Sequence, residues 1–89
     1  MSFDLDRAWR LDDQVALRPE PFGALAYHFG NRRLTFLKTR KLLDVVESLG
    51  GKPTGRAACL EAGVSDDELP AYAAALGRLA DAGMIGERS

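Results

Sequence analysis

Large side chains alternate with small or polar ones through the first third of the chain, with the two-residue period that is typical of β-strands. The alternation covers residues 15–19, 24–29 and 33–38. A Pro-Phe-Gly turn signal at 21–23 separates the first two segments, and Gly30-Asn31 is predicted to supply the positive φ angles of a tight hairpin before the third. The pattern therefore predicts a three-stranded antiparallel meander.

The apolar residues change to a helical period after the third predicted strand. Leucine and valine then recur at i, i+1, i+3, i+4 and i+7, which predicts a helix over 40–49 with Thr39 as its N-cap and Gly50 just past its end. A second, short helix is predicted over 54–62. Gly63 follows it in the position that often ends a helix.

A third helix is predicted to follow almost at once. Ser65 and Glu68 have the spacing of a capping box, but Pro70 would then lie too deep in the helix. Asp66 or Asp67 is therefore expected to be the N-cap, because this choice leaves the proline in the first turn. The apolar face of this helix consists of Leu69, Tyr72, Ala73, Leu76, Leu79 and Ala80.

The two ends of the chain give weaker signals. Gly83 is predicted to end the third helix, after which Met84 and Ile85 fold back onto the core. Trp9 and Leu11 alternate in the manner of a strand, so the N-terminal arm is expected either to pair briefly or to lie across the sheet.

Three strands followed by three helices are the content of an α+β, winged-helix-like domain. The 89 residues are expected to form one domain over 1–89, with residues 1–12 as an N-terminal arm. A chain this short buries about 60–65% of the surface that its unfolded state exposes, which leaves little core to hollow out for a pocket.

Charge and cysteine content exclude several classes of protein. The 12 Lys and Arg residues against 13 Asp and Glu residues give a net charge of -1, which argues against a generally basic nucleic-acid-binding protein. A single cysteine allows neither an internal disulfide nor a cysteine-based zinc site. The sequence shows no signal peptide and no apolar stretch of about 18 residues, so we expect a cytoplasmic protein with no membrane partner.

Catalytic chemistry has no support in the sequence. His28 is the only histidine, so it has no second histidine with which to share a metal site of the usual kind. Cys59 lies among alanines, which favours a small buried side chain over a reactive thiol. The carboxylate pairs at 12–13 and 66–67 are explained by a polar loop and a helix start. We therefore expect no enzymatic activity, no metal and no cofactor.

Positive charge is concentrated around the third predicted strand and the start of the first helix. Residues 31–41 contain five basic side chains and no acidic one, namely Arg32, Arg33, Lys38, Arg40 and Lys41. The net charge is +2 over residues 1–53 and -3 over residues 54–89. The last two of these basic residues lie in the first helical turn, where cations oppose the helix dipole. Either an anionic partner compensates them or solvent screens them.

The third predicted strand is expected to be a sheet edge, with unpaired N–H and C=O groups along residues 33–38. Either Arg33 and Lys38 blunt this edge, or an extended peptide adds itself as the next strand against the third helix. A DNA-binding winged helix would instead need basic and amide side chains on that helix. The helix opens with three acidic residues and carries only Arg78 as a basic one, so repulsion by phosphates disfavours nucleic acid.

Two runs of sequence, Val15 to Phe29 and Leu34 to Lys38, resemble the peptide chaperones of mycofactocin biosynthesis, most specifically in the Arg-Pro-Glu-Pro-Phe-Gly segment at 18–23. That family belongs to the PqqD-like domains, which are precursor-peptide recognition elements of ribosomally made, modified peptides. The resemblance implies a small, non-catalytic, winged-helix-like domain that captures the leader region of a precursor peptide. It also implies delivery of the peptide to a radical S-adenosylmethionine maturase, whose iron-sulfur clusters carry out the chemistry.

The resemblance further implies that the leader adds at the edge of the third strand, in the cleft against the third helix. The peptide-binding positions are then Arg33, Leu34, Thr35, Phe36, Leu37, Lys38, Leu69, Tyr72, Ala73 and Leu76. Two of them, Leu69 and Leu76, are also expected to belong mostly to the core. An electrostatic patch of Arg32, Arg40 and Lys41 favours an acidic leader.

Two other functions compete with this interpretation: a winged-helix regulator that binds nucleic acid, and a small interaction module of another kind. The turn at 19–23 also allows two interpretations. It is either a rigid turn with Phe22 packed on the sheet, because its two prolines preset φ, or a docking surface for the maturase.

Overall fold

Two antiparallel sheets and three helices make up residues 3–88, the part of the chain that the computed structural model describes. The strands are β1 Trp9–Leu11, β2 Val15–Glu20, β3 Gly23–His28, β4 Leu34–Leu37 and β5 Ile85–Glu87. The helices are α1 Arg40–Ser48, α2 Gly55–Glu61 and α3 Leu69–Asp81. The main sheet has the order β2-β3-β4, which confirms the predicted α+β class with its meander and three helices. The predicted domain and arm include residues 1, 2 and 89, which lie outside the described part.

The first hairpin of the meander turns through Pro21 and Phe22, with Glu20 opposite Gly23 in the register, as the turn signal predicted. Gly23 is required by close packing as well as by its φ of +156°. A Cβ atom at this position would overlap the carbonyl oxygen of Leu37 and approach the backbone nitrogen of Thr39 to 2.9 Å. The glycine therefore lets the end of β4 lie close beside the start of β3.

The second hairpin is closed differently from the prediction. The positive φ falls on Arg32, at 62°, and not on Gly30 or Asn31. The reason is His28, whose Nδ1 accepts the N–H groups of Gly30 at 3.0 Å and Asn31 at 3.1 Å. These two hydrogen bonds fix the conformation of Gly30 and Asn31, so that the residue with positive φ is the next one along the loop. Gly30 is needed for space instead, because a Cβ there would overlap the side chain of Gln14.

The arm and the C-terminus form the second sheet. β1 pairs with β5, with Trp9 opposite Glu87 and Leu11 opposite Ile85. Pairing of the arm was one of the two predicted alternatives, but the sequence predicted no C-terminal strand as its partner. The pairing covers Met84, which is fully buried and, with Ile85, folds back onto the core as expected.

α1 begins at Arg40 as predicted, whereas α2 begins at Gly55, one residue later than predicted, with Thr54 as its N-cap. The Thr39 hydroxyl accepts the N–H of Leu42 at 3.0 Å, and the Thr54 hydroxyl accepts the N–H of Ala57 at 3.0 Å. α1 is one residue shorter than predicted, because Leu49–Gly51 forms a separate turn of 3-10 helix.

The predicted start of α3 is wrong. Glu68, and neither Asp66 nor Asp67, occupies the N-cap position, and its side chain does not cap the helix. Its carboxylate instead accepts the N–H of Ser65 at 3.0 Å, so these two residues close a turn that delays the helix. Pro70 still lies in the first turn, where its missing N–H costs least.

The core lies between the main sheet and the helices. The small side chains of β3, Ala24 and Ala26, are buried on the face toward α1, together with Leu37 of β4. Leu76 and Leu79 of α3 are fully or almost fully buried in the same cluster. Within residues 3–88 no helix is long and apolar enough to cross a membrane.

Candidate functional site

The β4 edge of the main sheet is open. β4 pairs with β3 on one side, and in the described part of the chain no strand pairs with its other side. The N–H of the last β3 residue donates to the carbonyl of Arg33 at 2.9 Å. Because paired and unpaired positions alternate in an antiparallel ladder, Thr35 and Leu37 carry the next bonds to β3, whereas Leu34 and Phe36 direct their N–H and C=O groups outward.

An apolar cleft of about 210 Å³ runs between β4 and α3. The residues that line it are Thr35, Phe36, Leu37, Lys38, Thr39, Leu42, Ala71, Tyr72, Ala75, Arg78 and Leu79. Buried leucines form its floor. Ala71 and Ala75 leave space between helix and strand, because each contributes only a methyl group to the α3 side of the cleft.

Tyr72 is held at the cleft by a hydrogen bond between its hydroxyl and the Thr39 hydroxyl, at 3.1 Å. The same threonine oxygen accepts the N–H that caps α1. One side chain therefore ties the start of α1 to the middle of the cleft, and the phenol ring presents a fixed apolar surface with its polar end satisfied.

The charges around the cleft differ in how far they are neutralised. Lys38 and Arg78 line the cleft, and neither makes an ion pair within residues 3–88. Lys41 lies 3.2 Å from Glu68, so part of its charge is already compensated. The Ser65 N–H and then Lys41 hold the pKa of Glu68 below its usual value. The unpaired positive charge at the cleft therefore comes from Lys38, beside the strand, and from Arg78, on the helix.

The structure brings together only part of the predicted site. Thr35 to Lys38 and Tyr72 line the cleft, and Arg33 and Leu34 extend the same strand beyond it. Leu69 and Leu76 are buried in the core, as the sequence also allowed. Ala73 faces another side of α3, next to Phe3 and Pro70.

Six lining residues were missed by the sequence argument: Thr39, Leu42, Ala71, Ala75, Arg78 and Leu79. The four on α3 stand at helical spacings around Tyr72, so the tyrosine could have served as the reference for that face. Of the predicted patch, Arg32 lies exposed in the second hairpin loop and Arg40 is exposed at the start of α1.

The groups considered for catalysis have structural roles. His28 is buried and fixes the second hairpin, while Asp12 accepts the N–H of Gln14 at 2.8 Å. Cys59 is fully buried, and burial raises the pKa of its thiol. In residues 3–88 no group of three or more His, Cys, Asp or Glu side chains is placed to hold a metal ion.

Known proteins similar to this chain form one family. The model of the peptide chaperone MftB family matches residues 8–86. A Mycobacterium ulcerans protein named Peptide chaperone MftB is 57% identical over 84 residues, which cover 94% of this chain and 77% of the relative. Its namesake from Mycolicibacterium smegmatis is 53% identical over 85 residues, covering 96% and 83%. In the Mycobacterium tuberculosis protein of that name the identity is 55% over 83 residues, covering 93% and 76%.

No solved structure matches the chain, so the likeness to a winged helix stays a prediction. Relatives that are named peptide chaperones agree with the expectation that the chain is not an enzyme. The extent of the match, from the first strand to the last, leaves no ambiguity about kinship: the chain belongs to the peptide chaperone MftB family.

Proposed function

We propose that this chaperone binds the leader region of the mycofactocin precursor peptide in the cleft between β4 and α3 and delivers it to a radical S-adenosylmethionine maturase. The observation that carries the proposal is an unpaired strand edge directly beside an apolar cleft. An extended peptide satisfies both features at once, because its backbone pairs with the edge while alternate side chains enter the cleft.

The backbone of the guest pairs with Leu34 and Phe36, since these residues direct their N–H and C=O groups away from β3. The side chains of the guest that point toward α3 rest against Tyr72 and the alanines of the cleft wall. A volume of about 210 Å³ supports this use. Pockets for drug-sized ligands usually measure about 300–1,000 Å³, so this one suits the side chains of a peptide better than a whole small molecule.

Charge at the cleft selects acidic guests. Lys38 and Arg78 stand on opposite walls, one on the strand and one on the helix, and neither is neutralised by a carboxylate in residues 3–88. Arg40 adds a third exposed cation at the start of α1. An acidic side chain in the leader thus meets a cation from either wall, which speeds association and fixes the register of the guest.

Calorimetry with a synthetic leader peptide tests the proposal. We expect saturable binding to the leader, much weaker binding to a peptide of the same composition in scrambled order, and no binding to duplex DNA at physiological salt. The scrambled peptide is the control for charge alone, because it retains every acidic residue. Binding to duplex DNA that weakens with salt, together with no heat from the leader, would support the nucleic-acid-binding alternative and reject the proposal.

A further inference from the structure

One face of the main sheet presents large apolar side chains to solvent. Phe22, Phe29, Leu34 and Phe36 are exposed over 48%, 60%, 54% and 59% of their surfaces. The helices cover the opposite face, to which β3 contributes Ala24, Ala26 and His28. We call the solvent-facing side the outer face, and with these four residues it contains Leu25 and Tyr27.

The apolar residues of the outer face form one continuous patch. Phe36 lies opposite Leu25 in the register and contacts Phe22, with ring centroids 6.0 Å apart. Leu34 lies opposite Tyr27, whose ring centroid is 5.1 Å from that of Phe29. The four exposed side chains together present roughly 400 Å², at about 200 Å² for a fully exposed side chain of this size. The largest apolar patch of a typical monomer measures about 300–600 Å² and is often functional, so this patch is a candidate interaction site.

A basic margin lies along this patch, formed by exposed side chains next to it: Arg18 lies opposite Leu25 in the register, Arg32 and Arg33 directly precede Leu34, and Lys38 directly follows β4. Residues 14–41 contain six basic side chains and one acidic, whereas the remainder of the chain contains six basic and twelve acidic. The acidic one, Glu20, lies 3.3 Å from Arg18. Two copies of the outer face placed together would bring their basic margins into contact, which disfavours self-association. The complementary surface is apolar at its centre and acidic at its edge.

The outer face is continuous with the cleft through Phe36, which belongs to both. A guest peptide paired with β4 becomes the fourth strand of the sheet, and its outward side chains stand level with Phe36 and Leu34. A protein bound to the outer face would therefore contact the guest peptide directly.

We propose that the outer face docks a folded protein whose contact surface is apolar at its centre and acidic at its margin. The inference rests on the proposed function, and the docked protein is the enzyme that receives the peptide. Chaperone and guest then form one composite surface, and the enzyme recognises the loaded chaperone more tightly than the empty one.

Single-stranded nucleic acid is the other occupant that aromatic and basic side chains suggest, since bases stack on exposed rings. The rings of this face pack against each other edge to face, with interplanar angles of 62° for Phe22 and Phe36 and 75° for Tyr27 and Phe29. Rings arranged in this way pack well against aliphatic and aromatic side chains, whereas a platform for bases requires ring faces that lie open.

Two substitutions at opposite ends of the patch test the proposal, Phe22→Ser and Phe29→Ser. Neither residue lines the cleft or belongs to β4. Leu60→Ser is the matched control, because Leu60 is an apolar residue of α2 that is 49% exposed and lies outside both surfaces. Each variant is titrated with the purified radical S-adenosylmethionine maturase, with and without leader peptide, and in parallel with the peptide alone.

We expect each phenylalanine variant to bind the maturase about tenfold or more weakly and the leader peptide within about twofold of the unsubstituted chain, with the control unchanged in both. Maturase affinity that survives both substitutions would overturn the outer face as the docking surface and leave peptide binding intact. Failure of the unsubstituted chain to bind the leader peptide would overturn the proposed function. Binding of single-stranded RNA that both substitutions abolish, or a dimer that they dissociate, would assign the face to another occupant and overturn the inference.

Discussion

A proline at position 36 distinguishes the contribution of the strand edge to guest binding from the contribution of the side chains in the cleft. The N–H of Phe36 points away from β3, so Phe36→Pro removes a donor that the folded chain does not use in its own ladder. Proline is tolerated on edge strands in this orientation for that reason. Phe36→Ala is the matched control, because it removes the same ring and keeps the N–H. The difference between the two variants therefore reports the backbone contribution to guest binding.

The magnitude follows from one hydrogen bond between strand and guest. Its loss costs about 0.5–1.5 kcal/mol net, and the guest carbonyl left without a donor adds about 1–3 kcal/mol if it stays buried. The sum, about 1.5–4.5 kcal/mol, corresponds to roughly 10- to 2,000-fold in affinity for the leader peptide, relative to Phe36→Ala. Calorimetry measures the two affinities, and circular dichroism checks that both variants remain folded.

A second proline position provides the contrasting case. Thr35 directs its N–H toward β3, so Thr35→Pro breaks the internal ladder and is expected to lower the melting temperature of the protein itself. Equal leader affinities in folded Phe36→Pro and Phe36→Ala would show that the guest does not pair with β4, because pairing at this position uses the N–H that proline removes.

Three further predictions concern charge, packing and the thiol. The double variant Lys38→Glu, Arg78→Glu should weaken binding of an acidic leader more at low than at high salt, and a loss that is independent of salt would contradict electrostatic selection. Gly23→Ala should lower the free energy of unfolding by about 2 kcal/mol or more in a denaturant titration, because its Cβ meets backbone atoms; unchanged stability would contradict that contact. Cys59 should react with a thiol reagent at neutral pH only after unfolding, since it is buried with a raised pKa, and immediate labelling of the folded chain would show otherwise.

Local patterns predicted most of the fold. The period of two residues identified the meander, and Thr39 predicted the start of α1 because a cap is a contact between residues three apart. The predictions that failed depend on side-chain hydrogen bonds that periodicity does not reveal and on one contact between the two ends of the chain. His28 moves the positive φ of the second hairpin to Arg32, and β5 exists because β1 lies beside it.

Only the structure shows which face of the main sheet the helices cover. Alternation assigns Leu25 and Tyr27 to one face and Ala24 and Ala26 to the other, but it does not say which face the helices cover. The helices pack against the alanines, because small side chains allow close approach of helix to sheet. The large residues consequently face solvent, against the usual expectation for a half-buried strand.

The structure places the predicted strand residues 35–38 at the cleft, but only Tyr72 of the predicted helix residues. β4 as the open edge followed from the order of the strands. α3 is rich in alanine on several sides, so its rotation is set by which alanines fit against the sheet, and hydropathy alone did not decide it. The cleft therefore uses Ala71 and Ala75 in place of the predicted Ala73.

Amide hydrogen exchange, with and without leader peptide, tests the central claim most directly. In the free chain the amides of Thr35 and Leu37 should already exchange slowly, because they donate to β3, whereas those of Leu34 and Phe36 should exchange fast. We expect the peptide to slow exchange at Leu34 and Phe36 and to leave the other two nearly unchanged. Saturating peptide that leaves Leu34 and Phe36 as fast as in the free chain would contradict the addition of a strand at β4.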